Sequence, residues 1–459
     1  MDKKVIESLR EKIDGEILRP GDGSYDEARR IWNGRFDRHP TAIARCTSTD
    51  DVVAAVRVAR ENDLLVSVRS GGHDFGGKSV CDGGLTIDLS HMKNVTVHPE
   101  EKTAHAEAGA RWRDFDLETQ KYGLATTGGT VSTVGVAGFT LGGGSGWLAR
   151  KHGLGLDNLV SAEVVLASGE VVRASEDQNR DLFWALRGGS GNFGVVTSFE
   201  LALHELKGNL LAGQILHPLS EARDVMREYR SFMADAPPEV QCYPFFIRVP
   251  PVDVFPQAYH GQVAIDLAVA YAGDPEEGER VLKPLLEYGE PFFNMVGPQS
   301  YTALQQTFDE GSGSGNRWYS KAGYLRELSD DAIDTLVARV EDLQGELTMV
   351  YLEDYGGAIR RVGKSEMAFP HRDAPYAFHI FTGWLDPADD ERIIEWNREF
   401  HGAMSEYATG GVYVNMLDGD EDDIQRSAWG GNYGRLSEIK RKVDPENLFR
   451  HNQNIEPAK

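Results

Sequence analysis

Glycine is distributed unevenly along this chain, and that distribution restricts the fold more than any other feature. Three glycine-dense stretches, at residues 67–77, 128–147 and 187–194, lie in the first half of the 459 residues. Glycine tolerates positive φ and lets a ligand approach the backbone closely, so such loops can surround a pyrophosphate with backbone N–H groups. We therefore expect the first part of the chain to bind a ligand that contains a pyrophosphate.

Short predicted strands and helices alternate around these loops. Residues 47–62 carry a Ser/Thr cap, early acidic residues and helical apolar spacing, which predict a helix. Beyond about residue 205 the glycine loops stop, and strand patterns such as 376–384 alternate with helical patterns such as 328–343. The pattern as a whole predicts an α+β fold, whose second part is an antiparallel sheet covered by helices.

Length and charge predict the number of domains and exclude several classes of protein. A single hydrophobic core stops growing near about 250–300 residues, so a chain of 459 residues predicts two domains. The chain has 72 acidic and 48 basic residues, and its net charge of −24 would repel nucleic acid and anionic membranes. No run approaches the ~18 apolar residues of a membrane span. The charged N-terminus also has no apolar segment typical of a secretory signal, so we expect a cytoplasmic protein.

The cysteines give no sign of a metal or disulfide scaffold. Cys46, Cys81 and Cys242 are odd in number, widely spaced and without a C-x-x-C pair. Zinc sites and disulfide frameworks need closely spaced or even-numbered cysteines. We therefore expect no bound metal and a reducing compartment.

One glycine motif matches the dinucleotide fingerprint GxGxxG, at Gly189, Gly191 and Gly194. In that fingerprint a strand precedes the glycines, a helix follows them, and an acidic residue stands about 20 residues further on. Here a helical pattern at 181–188 precedes them, a strand pattern at 195–203 follows, and the acidic residue is absent. The sequence therefore argues against a Rossmann site for NAD.

Five motifs follow one another in a distinctive order: Arg69-Ser-Gly-Gly-His73, Val134-Gly-Val-Ala-Gly138 with Gly142-Gly-Gly144, Asp157-Asn158, Gly191-Asn-Phe-Gly194, and Asn447-Leu-Phe-Arg-His-Asn452-Gln-Asn454. Over nearly the whole chain, this order resembles the berberine-bridge-enzyme-like FAD-linked oxidases, which have the vanillyl-alcohol-oxidase/PCMH flavoprotein fold. The resemblance implies a PCMH-type FAD-binding domain at 1–205, completed by a C-terminal segment at 417–459. Between them it implies an inserted substrate domain at 206–416.

The resemblance also implies which residues contact FAD. They are Arg69, Ser70, Gly71, Gly72, His73, Asp74, Thr133, Val134, Gly135, Gly138, Gly142, Gly143, Gly144, Asp157, Asn158, Gly194, Val196, Asn452 and Asn454. His73 would be bonded covalently to the 8α-methyl carbon of the flavin, which raises the flavin potential. Some family members add a cysteinyl link, but Val131 stands at that position, so we expect one link only. Val134 matches the small residue that, in the family, leaves room for dioxygen.

The usual catalytic tyrosines of the family are missing. Phe75, Ser145 and Met416 stand at three positions where relatives often carry tyrosine. Oxidation of an alcohol or amine needs a base for the heteroatom proton, and a thioether cannot take a proton. Phenolic alcohol-oxidation chemistry therefore lacks its usual base in this chain.

A histidine on a predicted strand offers a substitute. Period-two alternation places Ala377, His379 and Phe381 on one face, which the resemblance puts over the flavin. Ala377 stands where relatives carry Glu or Lys, so His379 remains as a titratable group and candidate catalytic base, or as a hydrogen-bond partner of flavin or backbone. Tyr413 is a second catalytic candidate, although the strand expected at 413–416 would turn Tyr413 and Asn415 to the opposite face.

Two neighbouring residues have expected structural roles. His371 is expected to order the entry to the strand at 376–384, and Arg372 to form a structural ion pair. Neither is assigned to catalysis.

These observations predict an FAD-dependent oxidase that takes a hydride from a C–OH, C–N or activated C–C substrate, a sugar or a secondary metabolite, and passes electrons to dioxygen. A dehydrogenase with another electron acceptor and a flavin-binding protein with little turnover are the alternatives. The sequence leaves substrate and oligomeric state open.

Overall fold

The computed structural model describes residues 3–419 and 424–459. Up to residue 205 the strands are β1 (Glu16–Leu18), β2 (Ala42–Arg45), β3 (Val66–Arg69), β4 (Leu85–Asp88), β5 (Val95–His98), β6 (Thr103–Glu107), β7 (Leu124–Ala125), β8 (Leu159–Val165), β9 (Val171–Ser175), β10 (Val195–Ala202) and β11 (His204–Glu205). The later strands are β12 (Leu210–Pro218), β13 (Val240–Arg248), β14 (Val263–Tyr271), β15 (Phe293–Asn294), β16 (Gly297–Gln299), β17 (Arg317–Leu325), β18 (Met349–Asp354) and β19 (Tyr376–Trp384).

The α-helices occur throughout the chain. They are α1 (Lys3–Lys12), α2 (Tyr25–Arg29), α3 (Thr49–Glu61), α4 (Trp112–Thr119), α5 (Val136–Gly142), α6 (Ala149–His152), α7 (Arg180–Leu186), α8 (Ala222–Asp235), α9 (Pro275–Leu286), α10 (Tyr301–Leu304), α11 (Asp330–Val340), α12 (Asp390–Met404), α13 (Ile424–Trp429) and α14 (Tyr433–Val443). Together with the strands they confirm the predicted α+β class.

A small four-stranded sheet begins the fold, in the order β1-β2-β4-β3. Strands β2, β4 and β3 run parallel, and α3 is the predicted helix at 47–62, with the Ser48 side chain accepting a hydrogen bond from the Asp51 N–H. Strand β3 ends at Arg69, so the first glycine stretch continues from the carboxyl end of a parallel strand. Ligands bind preferentially at such ends in open α/β sheets.

A five-stranded antiparallel sheet follows, in the order β5-β6-β10-β8-β9. Helix α7 precedes the third glycine stretch and β10 follows it, so the order that argued against a Rossmann site is confirmed. The same strand, β10, lies between β6 and β8, at the centre of the sheet. The third stretch therefore leads directly into the middle of this layer.

The large sheet is antiparallel, in the order β15-β12-β14-β13-β18-β19-β17, and β16 pairs with β12. One face packs against α8, α11 and α12, where Val225, Leu336 and Phe400 share a core with Phe246 and Ile380 of the sheet. This arrangement confirms the antiparallel sheet covered by helices. The opposite face is left for the site described below.

The C-terminal tail packs back on the first part of the chain. Trp429 and Ile455 belong to the same core as Leu186 and Val195. The buried Lys440 ammonium donates to the Asn192 carbonyl at 2.7 Å and pairs with Asp444 at 2.7 Å. The side-chain oxygen of Asn192 accepts a hydrogen bond from the Ile455 N–H at 2.9 Å. These contacts tie the tail to the third glycine stretch.

Several other expectations concern domain boundaries, cysteines, membrane-spanning helices and metal ligands. The boundaries at residues 205 and 416 stay predictions, and residues 420–423 of the expected acidic turn lie outside the described residues. All three cysteines are buried and free. Within 3–419 and 424–459, no helix combines the length and apolarity needed to cross a membrane. The same residues contain no group of three or more metal-ligating side chains.

Candidate active site

A cavity of about 400 Å³ lies between the glycine loops, the tail and the open face of the large sheet. Many residues expected to contact FAD are in its wall: Ser70, Gly71, Gly72, His73, Asp74, Val134, Gly135, Gly138, Gly194, Val196 and Asn452. Both catalytic candidates, His379 and Tyr413, also line it. The fold thus brings segments from the beginning, middle and end of the chain to one place.

Other expected FAD contacts are absent from the described cavity wall. The Arg69 guanidinium donates to the Ala28 carbonyl, and Thr133 contacts the His73 ring. A Cβ atom on Gly142 would collide with the Asn415 side chain. Asn454 keeps a buried side-chain oxygen without a partner among the described residues. For these residues a contact with FAD stays a prediction.

Gly143 and Gly144 pack against one aromatic side chain. A Cβ atom on Gly143 would lie 2.7 Å from the Tyr413 ring, and the Gly144 N–H donates to the Tyr413 hydroxyl at 2.7 Å. Both glycines have positive φ, at 148° and 88°. Their small size therefore positions Tyr413 at the cavity, while a contact of their own with FAD stays a prediction.

Asp157 and Asn158 also have structural partners. Both carboxylate oxygens of Asp157 accept hydrogen bonds from the Arg372 guanidinium, at 2.6 and 2.8 Å, which confirms the predicted ion pair of Arg372. The Asn158 amide donates to the Leu154 carbonyl at 2.9 Å, and its oxygen lies 2.7 Å from the His204 ring. These bonds use the side chains that the family resemblance assigned to FAD.

The loop side of the cavity has the properties that FAD requires. Among the described residues, none accepts a hydrogen bond from the backbone N–H groups of residues 71–74, which lie in the cavity wall. A Cβ atom added to Gly138 or Gly191 would meet open space, and the Asn452 side-chain oxygen is buried without a partner. Free N–H groups beside open glycine surface suit a pyrophosphate. The residues present therefore fit FAD.

His73 lies at the middle of this loop side. Its Nε2 atom is 3.0 Å from the Thr133 hydroxyl, and its ring stacks on Trp32 with centroids 5.0 Å apart. Burial lowers the pKa of His73 to about 3, and the nearby Arg111 charge acts in the same direction. The imidazole is therefore neutral near neutral pH, as a nucleophilic nitrogen must be.

An acid that sequence reasoning missed lies on the sheet side. Glu353 of β18 is 3% exposed and lines the cavity. Its Oε2 atom is 3.5 Å from Nε2 of His379, and its Oε1 accepts a hydrogen bond from the Ser145 hydroxyl. Burial raises the pKa of the Glu353 carboxyl, and His379 partly opposes that rise. Glu353 and His379 therefore form a buried acid–base pair that faces the cavity.

Tyr413 supplies a hydroxyl beside this pair. The oxygen accepts hydrogen bonds from the Gly144 N–H at 2.7 Å and from the Asn415 amide at 3.2 Å. Burial raises the pKa of Tyr413, so the phenol stays protonated near neutral pH. Among the described residues, none accepts the Tyr413 hydroxyl hydrogen. That hydrogen is available to a molecule bound in the cavity.

The prediction of a strand at 413–416 is wrong. Residues Val414–Met416 form a single 3-10 turn, and Tyr413 and Asn415 both line the cavity. A turn does not alternate its side chains between two faces as a strand does. His371, expected at the strand entry, lies with its Nε2 atom 3.0 Å from the Ala428 carbonyl.

The three positions that lack the expected tyrosines all line the cavity. Ser145 contacts Glu353, whereas Phe75 packs on Phe381 with ring centroids 4.9 Å apart. Met416 packs partly buried against the same cluster of aromatic rings as Phe75. The three positions where the resemblance implied phenols thus carry one hydroxyl, one ring and one thioether.

Comparison with known proteins identifies the family. The model for an FAD binding domain matches residues 40–175, and the model described as "Berberine and berberine like" matches residues 412–456. An FAD-linked oxidoreductase of Bacillus subtilis is 32% identical over 456 residues, which cover 98% of each chain. The chain belongs to the berberine-bridge-enzyme-like family of FAD-linked oxidoreductases. Its predicted fold and its FAD cofactor are confirmed.

Members of this family with assigned substrates are also similar along the whole chain. The (R)-6-hydroxynicotine oxidase of Paenarthrobacter nicotinovorans is 31% identical over 470 residues, covering 97% of each chain. The crystal structure of 6-hydroxy-D-nicotine oxidase from Arthrobacter nicotinovorans superposes with a TM-score of 0.87 at 29% identity, over 97% of this chain and 98% of that chain. The prediction of an enzyme of the oxidoreductase class is confirmed.

Proposed function

We propose that this FAD-linked oxidoreductase is an oxidase whose flavin is bonded to His73 and whose proton acceptor is the Glu353–His379 pair. The substrate would lose a hydride from a carbon that bears a hydroxyl or an amine nitrogen. The buried acid–base pair carries this proposal, because it lies in the same cavity as His73. The relatives named as nicotine oxidases support an oxidase over a protein with little turnover.

The side chains on the sheet side can handle the substrate proton. When bound, FAD supplies the hydride acceptor for the substrate carbon and an electron donor for dioxygen. The proton on the substrate heteroatom would pass to Nε2 of His379 or to a carboxylate oxygen of Glu353. The Tyr413 hydroxyl would donate a hydrogen bond to the same heteroatom and fix its position. Burial of the pair keeps bulk water away from these exchanges.

A single covalent link at His73 is supported by its chemistry. The ring is neutral, and its Nε2 contact with Thr133 leaves Nδ1 without a hydrogen-bond partner among the described residues. Val131, which stands at the position of the second link, lines the cavity and cannot form a thioether. The three cysteines are absent from the described cavity wall, and burial raises the pKa of each thiol.

The same proposal includes dioxygen as the acceptor of the electrons from the flavin and the cytoplasm as the location of the protein. Val134 lines the cavity beside Gly135, and its small side chain would leave space for a diatomic molecule. Three free cysteines suit a reducing compartment. A dehydrogenase that uses another acceptor would have the same cavity, so a measurement of product must separate the two.

The test is a two-stage reaction. The purified holoenzyme is mixed without oxygen with a panel of amines, alcohols, phenolic metabolites and sugars, and bleaching of the flavin absorbance is recorded. Oxygen is then admitted, and hydrogen peroxide is measured per substrate consumed. We expect bleaching by a subset of the panel and one peroxide per turnover. A lack of bleaching across the panel contradicts the enzyme assignment, and bleaching without peroxide contradicts the oxidase assignment.

A further inference from the structure

Five aromatic rings line the sheet side of the cavity together with Glu353. Tyr351 packs on Phe245 with ring centroids 4.8 Å apart and on Phe381 at 5.6 Å. Phe245 contacts Phe308 at 4.9 Å, and Tyr243 lies 6.2 Å from Tyr351. All five rings line the cavity. Glu353 therefore opens into a space whose wall on this side consists mainly of π surfaces.

Formal charge in the described cavity wall is confined to three side chains, Asp74, Lys78 and Glu353. Asp74 accepts hydrogen bonds from the backbone N–H groups of Gly76 and Lys78, and the Lys78 ammonium donates to the Asn452 carbonyl at 2.8 Å. Both therefore belong to the loop and tail side. On the sheet side, the described wall contains a carboxyl group and no lysine or arginine.

We propose that the sheet side of the cavity selects a substrate with a protonated amine beside a flat apolar ring, and that Glu353 determines this preference. This refinement rests on the proposed function. A cation gains from the faces of aromatic rings once it is desolvated. A buried carboxylate attracts a cation by charge alone, and it pairs more strongly still with a cation that brings its own hydrogen-bond donors. The apolar ring would pack on Phe245, Phe381 or Tyr351.

The polar atoms of this wall suit an amine better than a sugar. A sugar presents a hydroxyl on nearly every carbon, and each buried hydroxyl needs a partner. Here the Ser145 hydroxyl already donates to Glu353, and the Tyr413 oxygen already accepts two hydrogen bonds. The polar atoms left for a polyhydroxylated ring are the Tyr413 hydroxyl hydrogen, the His379 nitrogens and the phenols of Tyr243 and Tyr351, whereas one ammonium group would satisfy Glu353. An anionic substrate would meet the Glu353 carboxylate without a compensating cation.

Cation binding should be linked to the proton of Glu353. A bound cation stabilises the ionised carboxylate, so binding to protonated Glu353 must release a proton. Affinity for a permanent cation should therefore rise with pH through the pKa of Glu353 and then level off. His379 is the other titratable side chain that contacts Glu353, at 3.5 Å. The phenols around Glu353 stay protonated because burial raises their pKa; they are Tyr229, Tyr243, Tyr324, Tyr351, Tyr355 and Tyr413.

The experiment compares two probes of equal shape that cannot be oxidised. Phenyltrimethylammonium carries a permanent charge, and tert-butylbenzene is its neutral isostere. Binding of each to the flavin-loaded holoenzyme is measured by calorimetry at several pH values. We expect the cation to bind about tenfold more tightly than the neutral probe near neutral pH. Its affinity should fall at acid pH, while that of the neutral probe should stay constant.

Glu353→Gln should remove most of this preference, and Glu353→Asp should keep part of it. Glu346→Gln is the matched control, because Glu346 is exposed on the loop before β18. Equal affinity for the two probes, no detectable binding of the cation, or an unchanged preference in Glu353→Gln would overturn the inference. Because neither probe is oxidised, these results do not depend on turnover. A holoenzyme that prefers the cation but bleaches with no substrate would contradict the proposed function alone.

Discussion

The Oε2 atom of Glu353 lies 3.5 Å from Nε2 of His379, across two neighbouring strands of one antiparallel sheet. The register places His379 opposite Tyr351 and Glu353 opposite Ala377, so the acid and the imidazole project from the same face. Their side chains are only 4% and 1% exposed. A proton taken from the substrate would therefore be held beside a desolvated acid–base pair.

His73→Ala should release the flavin from the protein. Without the imidazole no bond to the flavin can form, so acid-precipitated variant protein should be colourless and the flavin should remain in the supernatant. Wild-type protein and the surface control His91→Ala should both give a yellow pellet. A colourless wild-type pellet would refute the covalent link.

Tyr413→Phe should slow flavin reduction by about 100-fold, the loss typical of one preorganised hydrogen-bond donor. The variant loses the hydroxyl that the Gly144 N–H and the Asn415 amide hold in place. Tyr407→Phe is a suitable control, because its hydroxyl contacts Thr335 at 3.0 Å and it is absent from the described cavity wall. Rapid mixing without oxygen measures both rates. Equal rates for Tyr413→Phe and wild type would exclude Tyr413 from substrate binding.

Lys440→Met should lower the free energy of unfolding by about 3 kcal/mol, because it leaves the buried Asp444 without its cation. It also removes the bond between the tail and the Asn192 carbonyl. Urea denaturation measures the loss. Lys442→Met, whose side chain is 61% exposed and pairs with Asp181 at 3.3 Å, should cost far less. Similar losses in the two variants would show that the buried pair does not anchor the tail.

Asp116 should make stability depend on pH. Burial raises its pKa to about 7, and the Gln305 amide donates to its carboxylate at 3.0 Å and opposes that rise. Because the folded pKa exceeds the unfolded one, folded protein holds a proton that unfolded protein has lost between about pH 4 and pH 7. Stability from this group is therefore full below that window and is lost as pH rises through it.

Asp116→Asn should flatten this profile. The amide has no proton to lose in this range, so the variant should gain stability relative to wild type between about pH 5 and pH 8. Urea denaturation at both ends of the range gives the difference. An identical slope for variant and wild type would mean that Asp116 is already ionised in the folded protein.

The loop side of the cavity could be predicted from sequence because its motifs are local. Ser70–Gly72 and His73 follow directly from β3, and the tail motif around Asn452 has its own order of residues. Backbone N–H groups that bind a pyrophosphate need only glycine and a loop. Helix α3 was predictable for the same reason, since its cap lies within the segment.

The acid of the sheet side could not be located in the same way. The family resemblance directed attention to the position of Ala377, whereas the acid of this cavity is Glu353, the cross-strand partner of Ala377. That placement depends on the register of two strands that are separate in sequence. The alternation of Met349, Tyr351 and Glu353 was a usable signal, because three residues at period two share a face.

Tertiary contacts also decided the roles of other motif residues. Asp157 pairs with Arg372, and Asn158 with His204, through contacts between residues that lie 215 and 46 positions apart. The 3-10 turn at Val414–Met416 turns Tyr413 towards the cavity, although the local sequence is typical of a strand. Neither outcome follows from propensity, because each depends on the side chains that surround the segment.

The rate of flavin reduction in Glu353→Gln tests the proposed site most directly. Wild type, Glu353→Gln and the exposed control Glu346→Gln are mixed rapidly, without oxygen, with a substrate that bleaches the wild-type flavin. Because glutamine cannot accept a proton, we predict a fall of about 100-fold or more in Glu353→Gln and no change in the control. A rate in Glu353→Gln equal to that of wild type would contradict the assignment of the Glu353–His379 pair as the proton acceptor.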